Sequence, residues 1–169
     1  SPSAWSTLGY FNDPILTGML NNGPGSTAEL ILHEMTHATI FMEGDADNNE
    51  NIATLIGEEG AVRFLYSKYG PGSKELKRYK NHLEDDHVYS LHMIRSAKRL
   101  DSLYHTFNNK ITFYEKCKAK YALIAEVLLE INDLPLHSKK LYLHDFSKEP
   151  LPDNPFFMSY LRYRRSEEH

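Results

Sequence analysis

The sequence contains one cysteine, Cys117, among its 169 residues, and a single thiol excludes an internal disulfide framework. It has no run approaching the roughly 18 apolar residues that a membrane-spanning helix needs. The net charge of −4 provides no general electrostatic footprint for nucleic acid. Internal repeats and low-complexity tracts are also absent. With 41% hydrophobic and 25% charged residues, the chain has a globular composition and a length that suits a single domain.

The first residues lack both an initiator methionine and a basic segment, so we expect that a signal or an upstream region has been removed. Residues 3–12 combine aromatic and hydroxyl side chains and precede an Asp-Pro pair, which predicts a short extended segment or β-strand. Residues 21–26, NNGPGS, have the composition of a turn. The extended segment is therefore expected to end in a turn before the first helix.

Two helices are predicted to follow this turn. Ser26 and Glu29 have the spacing of a capping box, which predicts a helix that runs to about Phe41. A loop over 43–49 separates it from a second helix, which spans about 49–69 and stops before a Gly-Pro-Gly turn. The sequence therefore predicts a helix pair joined by a short acidic loop.

A longer helical region follows the pair. Residues 73–107 contain neither Gly nor Pro, and their apolar residues recur at near-helical spacing, which predicts one long helix. Residues 110–131 supply an antiparallel partner, giving an αα-hairpin that partly projects into water. Residues 139–146 are predicted as a strand or extended segment, and 154–165 as a final helix. The predicted fold class is mainly α (α+β), with a small N-terminal extended or β segment.

Three ionisable residues interrupt the largely apolar stretch of the first predicted helix, in the motif HEMTH. His33 and His37 are four residues apart and share one helix face, where both imidazoles can bind one tetrahedral cation. Glu34 is turned by about 100° from His33 and can reach a water bound to that cation as a general base. The structural alternative is a pair of core histidines with Glu34 at the surface, although burying three such groups without compensation is costly.

A catalytic zinc needs a third protein ligand, and the second predicted helix offers Glu50. Small residues follow Glu50 at helical spacing and allow close approach to another helix; they are Ala53, Thr54, Gly57 and Ala61. Thr54, one turn beyond Glu50, can hydrogen-bond a ligand imidazole. The competing acids are Glu58 and Glu59, two turns further along. The structural alternative makes Glu50 part of a helix cap after Asp47.

Three blocks of the sequence resemble the bacterial zinc-dependent aminopeptidases, a gluzincin-type family of HExxH metallopeptidases. They are AWSTLGYFNDPILTGML (4–20), ELILHEMTHATIFMEGDADNNENIATLIGEEGAVRFL (29–65) and DNPFFMSYLRY (153–163). The helical hairpin between the last two fits the family as well. Asn48 and the Asp-Asn-Pro of 153–155 depart from the family pattern, which affects the expected substrate pocket rather than the metal site.

The resemblance implies zinc-dependent hydrolysis of peptides, with one zinc ion per chain and Glu34 as the general base. It also implies that Tyr163 donates to the oxyanion, whereas the structural alternative is a tyrosine that only packs its ring. The STLGYF segment (6–11) would bind substrate backbone by strand addition. An aminopeptidase also needs an acid for the substrate's free amine, and the sequence does not choose among the available aspartates, Asp13, Asp45 and Asp47.

The same resemblance sets the expected organisation of the chain. It implies a single metallopeptidase-like domain with a zincin-like metal core over 3–70, a helical hairpin over 73–132 and a C-terminal segment over 139–165. Family members often begin with a lipoprotein signal, which suggests the bacterial cell envelope or periplasm. The sequence leaves the cleavage specificity and the oligomeric state open.

Two other classes of protein compete with the peptidase. Glu34 with His37, and Glu84 with His87, form Glu-x-x-His pairs, and two such pairs with two further glutamates build a di-iron carboxylate site in a four-helix bundle. The charge-rich neighbours of Glu84 argue against a buried site of this kind. The other class is a binding module that keeps zinc only for structure. Metal analysis and the variant Glu34→Gln distinguish the three.

Overall fold

The computed structural model describes residues 23–143 and 151–163, without the side chains of 158, 159 and 161–163. It is mostly helical, and these residues contain no β-strand, which confirms the mainly α class. The predicted N-terminal extended segment lies outside the described residues. The helices are α1 (Pro24–Thr39), α2 (Ala46–Tyr69), α3 (Lys74–His105), α4 (Phe113–Glu130) and α5 (Asn154–Tyr163).

The chain forms two compact units, residues 1–81 and 82–169. The first unit contains α1, α2 and the beginning of α3, and the second contains the rest of α3 with α4 and α5. The expected single domain and its internal boundaries stay a prediction. Within the described ranges, no helix is both long and apolar enough to cross a bilayer.

Helix α1 begins earlier than the capping-box spacing predicted. Gly23 precedes it with a φ of 95°, a left-handed value that favours glycine, and Pro24 occupies its first turn, where the fixed φ of proline suits a helix. Ser26 therefore lies inside the helix, and the predicted capping box with Glu29 is wrong. The Glu29 carboxylate instead accepts a hydrogen bond from the Tyr79 hydroxyl at 3.0 Å.

Helix α2 begins at Ala46, three residues before the predicted start, because Asp45 caps it. The Asp45 carboxylate accepts hydrogen bonds from Asn48, at 3.3 Å from the backbone N–H and at 2.6 Å from the side-chain amide. The helix ends at Tyr69, as predicted, and Gly70 follows with a φ of 89°. The capping residue is therefore Asp45 and not Asp47, and Glu50 is the fifth residue of α2.

Small residues of α2 bring it close to α1. Ala53 and Ala61 are completely buried. A Cβ added at Gly57 would lie 3.0 Å from the Glu29 carbonyl oxygen and 3.4 Å from the His33 Cβ. Because larger side chains on this stripe would force the helices apart, the small residues set the separation at which side chains of α1 and α2 meet.

In the second unit, α3 and α4 share one hydrophobic core. Its buried members include Met93, Ala97, Leu100, Ile124, Val127, Leu128 and Phe157. Polar contacts also join the two helices: the His92 Nε2 bonds the Val127 carbonyl oxygen at 3.0 Å, and Arg99 donates to two glutamates of α4 at 2.7 to 2.9 Å. The predicted pairing of these two helices agrees with the contacts.

Helix α4 begins with a capping box that the sequence analysis did not identify. The Glu115 N–H donates to the Thr112 hydroxyl oxygen at 3.3 Å, and the Thr112 N–H donates to the Glu115 carboxylate at 2.9 Å. The Thr112 hydroxyl and N–H hold the pKa of Glu115 below its usual range. This cap places the helix start at Phe113 rather than at the predicted residue 110.

A buried aspartate anchors the segment that follows α4. The Asp85 carboxylate, 2% exposed, accepts backbone hydrogen bonds from His137 at 2.6 Å and from Ser138 at 2.9 Å. Next comes a 3₁₀ turn over Lys139–Leu141, so the predicted strand or extended conformation is wrong there. Residues 144–146 of that prediction lie outside the described residues.

Candidate metal centre

Helix α1 presents His33 and His37 on the same face, as their spacing predicted. Their Nε2 atoms lie 3.1 Å apart, and the ring centroids lie 4.8 Å apart in an edge-to-face arrangement. His37 is buried, with 3% of its surface exposed, whereas His33 is half-buried. Two imidazole nitrogens therefore point at one small volume at the C-terminal half of α1.

Glu50 from α2 completes this group. Its Oε2 lies 3.4 Å from the His33 Nε2, and its Oε1 lies 3.4 Å from the His37 Nε2. The side chain of Glu50 is 32% exposed, whereas that of His37 is 1% exposed, so the group extends from the interior to the surface. The structure thus brings together the three residues that the sequence analysis predicted as metal ligands.

The distance between the two imidazole nitrogens, and the distance from each nitrogen to a Glu50 oxygen, are close to the edge length of a tetrahedron around one ion. Ligand atoms that each lie about 2.0 to 2.1 Å from a tetrahedral zinc lie about 3.3 to 3.4 Å from one another. The two Nε2 atoms lie 3.1 Å apart, and each lies 3.4 Å from a different oxygen of the Glu50 carboxylate. Within residues 23–143 and 151–163, this is the one group of three or more His, Cys, Asp or Glu residues suited to a metal. The residues present therefore fit an ion with three protein ligands and one remaining vertex.

The far nitrogen of one ligand ring has an unusual environment. The Nδ1 of His37 is buried and has no hydrogen-bond partner among the described residues. Ligand imidazoles in metal sites normally donate this second N–H to a carboxylate, a carbonyl or a water. The polar contacts of the His37 ring among the described residues are therefore made by its Nε2, which lies 3.1 Å from the His33 Nε2 and 3.4 Å from the Glu50 Oε1.

Asn49, next to Glu50, ties the loop between the two helices to α2. Its Oδ1 accepts the Met42 backbone N–H at 2.8 Å, and its Nδ2 donates to the Met42 carbonyl oxygen at 2.8 Å. Asn49 is 3% exposed, so both bonds are shielded from water. The amide therefore fixes the loop that leads from the histidine helix into the first turn of α2.

This role of Asn49 was not predicted from the sequence. A cluster of asparagines, Asn48, Asn49 and Asn51, surrounds Glu50, and composition alone does not distinguish them. Helix phase separates them, because Asn49 is buried against the loop while Asn48 is exposed and bonds Asp45. The available signal was spacing, because Asn49 lies four residues before Ala53 and both are buried on the same face of α2.

The residues predicted beside the ligands lie on the same two helices. Glu34 is half-buried on α1, and helix geometry turns it about 100° from His33. Thr54 is exposed on α2, so its predicted bond to an imidazole stays a prediction. Glu58 is half-buried and Glu59 is exposed, and neither belongs to the ligand group.

Two other sets of predicted residues have different outcomes. Asp45 is engaged in capping α2, whereas Asp47 is exposed in the first turn of that helix. Asp13 lies outside the described residues, and so does the side chain of Tyr163, whose backbone belongs to α5. The proposed roles of Tyr163 and of an amine-binding aspartate therefore stay predictions.

The second Glu-x-x-His pair does not form a comparable group in the described part of the chain. Glu84 and His87 are both exposed. The Glu84 carboxylate bonds the His137 Nε2 at 2.9 Å, and the neighbouring Asp85 holds backbone N–H groups. These contacts organise a loop and favour the reading of one metal centre over a di-iron site.

The helix pair and its three converging side chains define a protein with a candidate mononuclear metal centre. A family model described as "Putative aminopeptidase" matches residues 1–169. The chain therefore belongs to this aminopeptidase family, as the sequence blocks indicated, and the family name indicates peptide hydrolysis. The gluzincin type and the dependence on zinc stay predictions. No curated protein and no solved structure matches the chain significantly.

Proposed function

We propose that the protein is a zinc-dependent peptidase of the gluzincin type, with His33, His37 and Glu50 as the zinc ligands. The observation that carries this proposal is the convergence of the two Nε2 atoms and the carboxylate oxygens at 3.1 to 3.4 Å. Two histidines and one glutamate form a ligand set of catalytic zinc in peptidases. Family membership supports peptides as the substrate class.

His33, His37 and Glu50 would hold the zinc ion, which would supply a water with a pKa lowered to about 7 and would polarise the scissile carbonyl. Glu34 would take one proton from this water as the water oxygen attacks the carbonyl carbon. It would then deliver that proton to the leaving amine as the C–N bond breaks. Its place on α1 supports this role, because it adjoins the ligand His33 but is turned off the ligand face.

The remaining groups of the proposed site come from the resemblance. Tyr163 is the proposed hydrogen-bond donor to the oxyanion, and the STLGYF segment (6–11) is the proposed backbone-binding strand. Thr54 is the proposed partner of a ligand imidazole. Among the acids proposed to bind the substrate's free amine, Asp45 is the weakest candidate, because its carboxylate already caps α2.

Metal analysis combined with a peptide digest tests the proposal. We expect one zinc per chain, and cleavage of a mixed peptide library that stops when the metal is chelated and returns when zinc is restored. An aminopeptidase cleaves the free peptides and spares their N-acetylated counterparts. Two irons per chain would establish the di-iron alternative, and bound zinc without cleavage of any peptide would establish the non-catalytic module.

The variant Asn49→Asp is expected to weaken metal binding by about 10- to 100-fold, the range typical of residues that orient a ligand. An aspartate can still accept the Met42 N–H, but it cannot donate to the Met42 carbonyl, and two oxygens then face each other at the 2.8 Å of the present bond. The loop should shift and carry Glu50 with it. Competition with a chromogenic chelator measures the dissociation constant.

Asn51→Asp provides the matched control, because Asn49 and Asn51 flank Glu50 and both changes add one negative charge next to it. Asn51 is half-buried, and its side chain does not take part in the Met42 bonds. We expect the control to bind metal within a few-fold of the wild type. Equal affinities in the two variants would show that charge, not the loop contact, determines the effect.

A further inference from the structure

Two aromatic side chains at the start of α4 are unusually exposed. Phe113 is 83% exposed and Tyr114 is 74% exposed, the two highest values among large hydrophobic residues of the described chain. They are the first two residues of the helix, and Lys110 precedes them in the connection from α3. We call residues 110–121 the aromatic tip. Exposed apolar groups of this size, placed side by side, indicate a surface that binds something.

The aromatic tip is held in a defined conformation. Thr112 and Glu115 close a reciprocal capping box around the first turn of α4, so the backbone at Phe113 and Tyr114 has helical geometry supported by two hydrogen bonds. Lys116 lies 6.0 Å from the centroid of the Phe107 ring, which joins this turn to the end of α3. The two aromatic rings are therefore presented by a capped helix end.

The charge of this region is opposite to that of the whole chain. Residues 106–121 contain four lysines, Lys110, Lys116, Lys118 and Lys120, and one acid, Glu115, whereas the net charge of the protein is −4. Lys120 also lies 5.1 Å from the ring centroid of Tyr121, so a further aromatic residue continues the pattern. This local excess of positive charge is complementary to a negatively charged partner.

The distribution of the lysines around the helix favours a lipid surface over another protein as the anionic partner. Successive residues of an α-helix are turned by about 100°, so Lys116 and Lys118 point about 160° apart. Another protein would contact one side of such a helix end. A layer of lipid headgroups instead surrounds an inserted helix end and meets cationic groups on all sides.

We propose that the aromatic tip docks the protein on an anionic lipid surface. Phe113 and Tyr114 enter the headgroup region, where amphipathic aromatic rings are favoured, and the surrounding lysines pair with anionic headgroups. This is peripheral attachment through a helix end. It involves residues of the second unit and does not depend on the proposed peptidase activity.

Sedimentation of the full chain with lipid vesicles tests this proposal. We expect the protein to bind vesicles of phosphatidylglycerol and phosphatidylcholine, to bind much less to pure phosphatidylcholine, and to dissociate as salt is raised. The double variant Phe113→Ser/Tyr114→Ser should lower the partition coefficient at least about tenfold, and Lys110→Glu/Lys118→Glu should do the same on anionic vesicles only.

Leu129→Ser is the matched control, because Leu129 is 56% exposed on the same helix and lies sixteen residues, or about 24 Å, from Phe113. It should bind like the wild type. The proposal is overturned if the wild type ignores anionic vesicles, or if the Phe113/Tyr114 variant binds as well as the control. It is also overturned if soluble polyglutamate binds the protein, displaces it from vesicles, and loses this binding in the Phe113/Tyr114 variant. That result would identify an acidic polypeptide as the partner.

Discussion

Replacement of Glu34 by glutamine is expected to lower kcat for peptide hydrolysis by about 100- to 10,000-fold while the protein still binds one metal ion. An amide has nearly the volume of the carboxylate but cannot accept the proton of the attacking water, so the general-base contribution is lost. The metal should remain, because the candidate ligands are His33, His37 and Glu50. Steady-state kinetics together with metal analysis of the same sample measure both effects.

Glu43→Gln provides a control for the loss of one negative charge from this region. Glu43 is exposed in the loop between α1 and α2, and its replacement should leave kcat within about twofold of the wild type. A Glu34→Gln enzyme with wild-type turnover would remove Glu34 from the mechanism. A variant that lost its metal would instead assign Glu34 to metal binding.

The predictions that depended on helix periodicity agree with the structure. The spacing of His33 and His37 fixes both on one face of any helix, so their approach to 3.1 Å required only that α1 form. The small residues of α2 likewise predicted close packing, and buried Ala53 and Ala61 agree with it. Periodicity contains this information because helix geometry is the same in every protein.

Helix ends were less predictable, because several signals compete within a few residues. The Ser26 and Glu29 spacing suited a cap, but Gly23 and Pro24 started α1 earlier, and Glu29 found a partner in Tyr79, fifty residues away. A capping motif shows which hydrogen bond a side chain can make locally, whereas the tertiary fold determines which partner lies close enough to bond. At the start of α2 the cap is likewise Asp45, which accepts hydrogen bonds from Asn48, rather than the predicted alternative Asp47.

Long-range contacts account for the rest of what the sequence did not reveal. The charge-rich stretch around Glu84 argued against a buried metal site, yet its Asp85 is 2% exposed because backbone N–H groups of residues 137 and 138 donate to it. Asn49 gained its role in the same way, from the return of the loop to α2 at Met42. Neither contact leaves a periodic trace in the sequence, since each depends on where a loop passes.

Removal of the carboxylate ligand should have the largest effect on metal binding. We expect Glu50→Ala to raise the zinc dissociation constant more than about 100-fold, beyond the range for residues that only orient a ligand. One Glu50 oxygen lies 3.4 Å from the His33 Nε2 and the other lies 3.4 Å from the His37 Nε2, so loss of the carboxylate leaves two ligands and exposes the ion to more water. Zinc titration against a competing chelator gives the constant, and thermal unfolding of the metal-free protein confirms that the variant folds.

Glu59→Ala tests whether position, rather than acidity, determines this loss. Glu59 lies on the same helix, nine residues beyond Glu50, and its side chain is exposed and outside the ligand group. The two variants remove the same charge from α2, so a general electrostatic effect on zinc would weaken binding equally in both. We expect Glu59→Ala to bind zinc as the wild type does. Wild-type affinity in Glu50→Ala, with a loss in Glu59→Ala, would move the third ligand two turns along α2 and require a different arrangement of the centre.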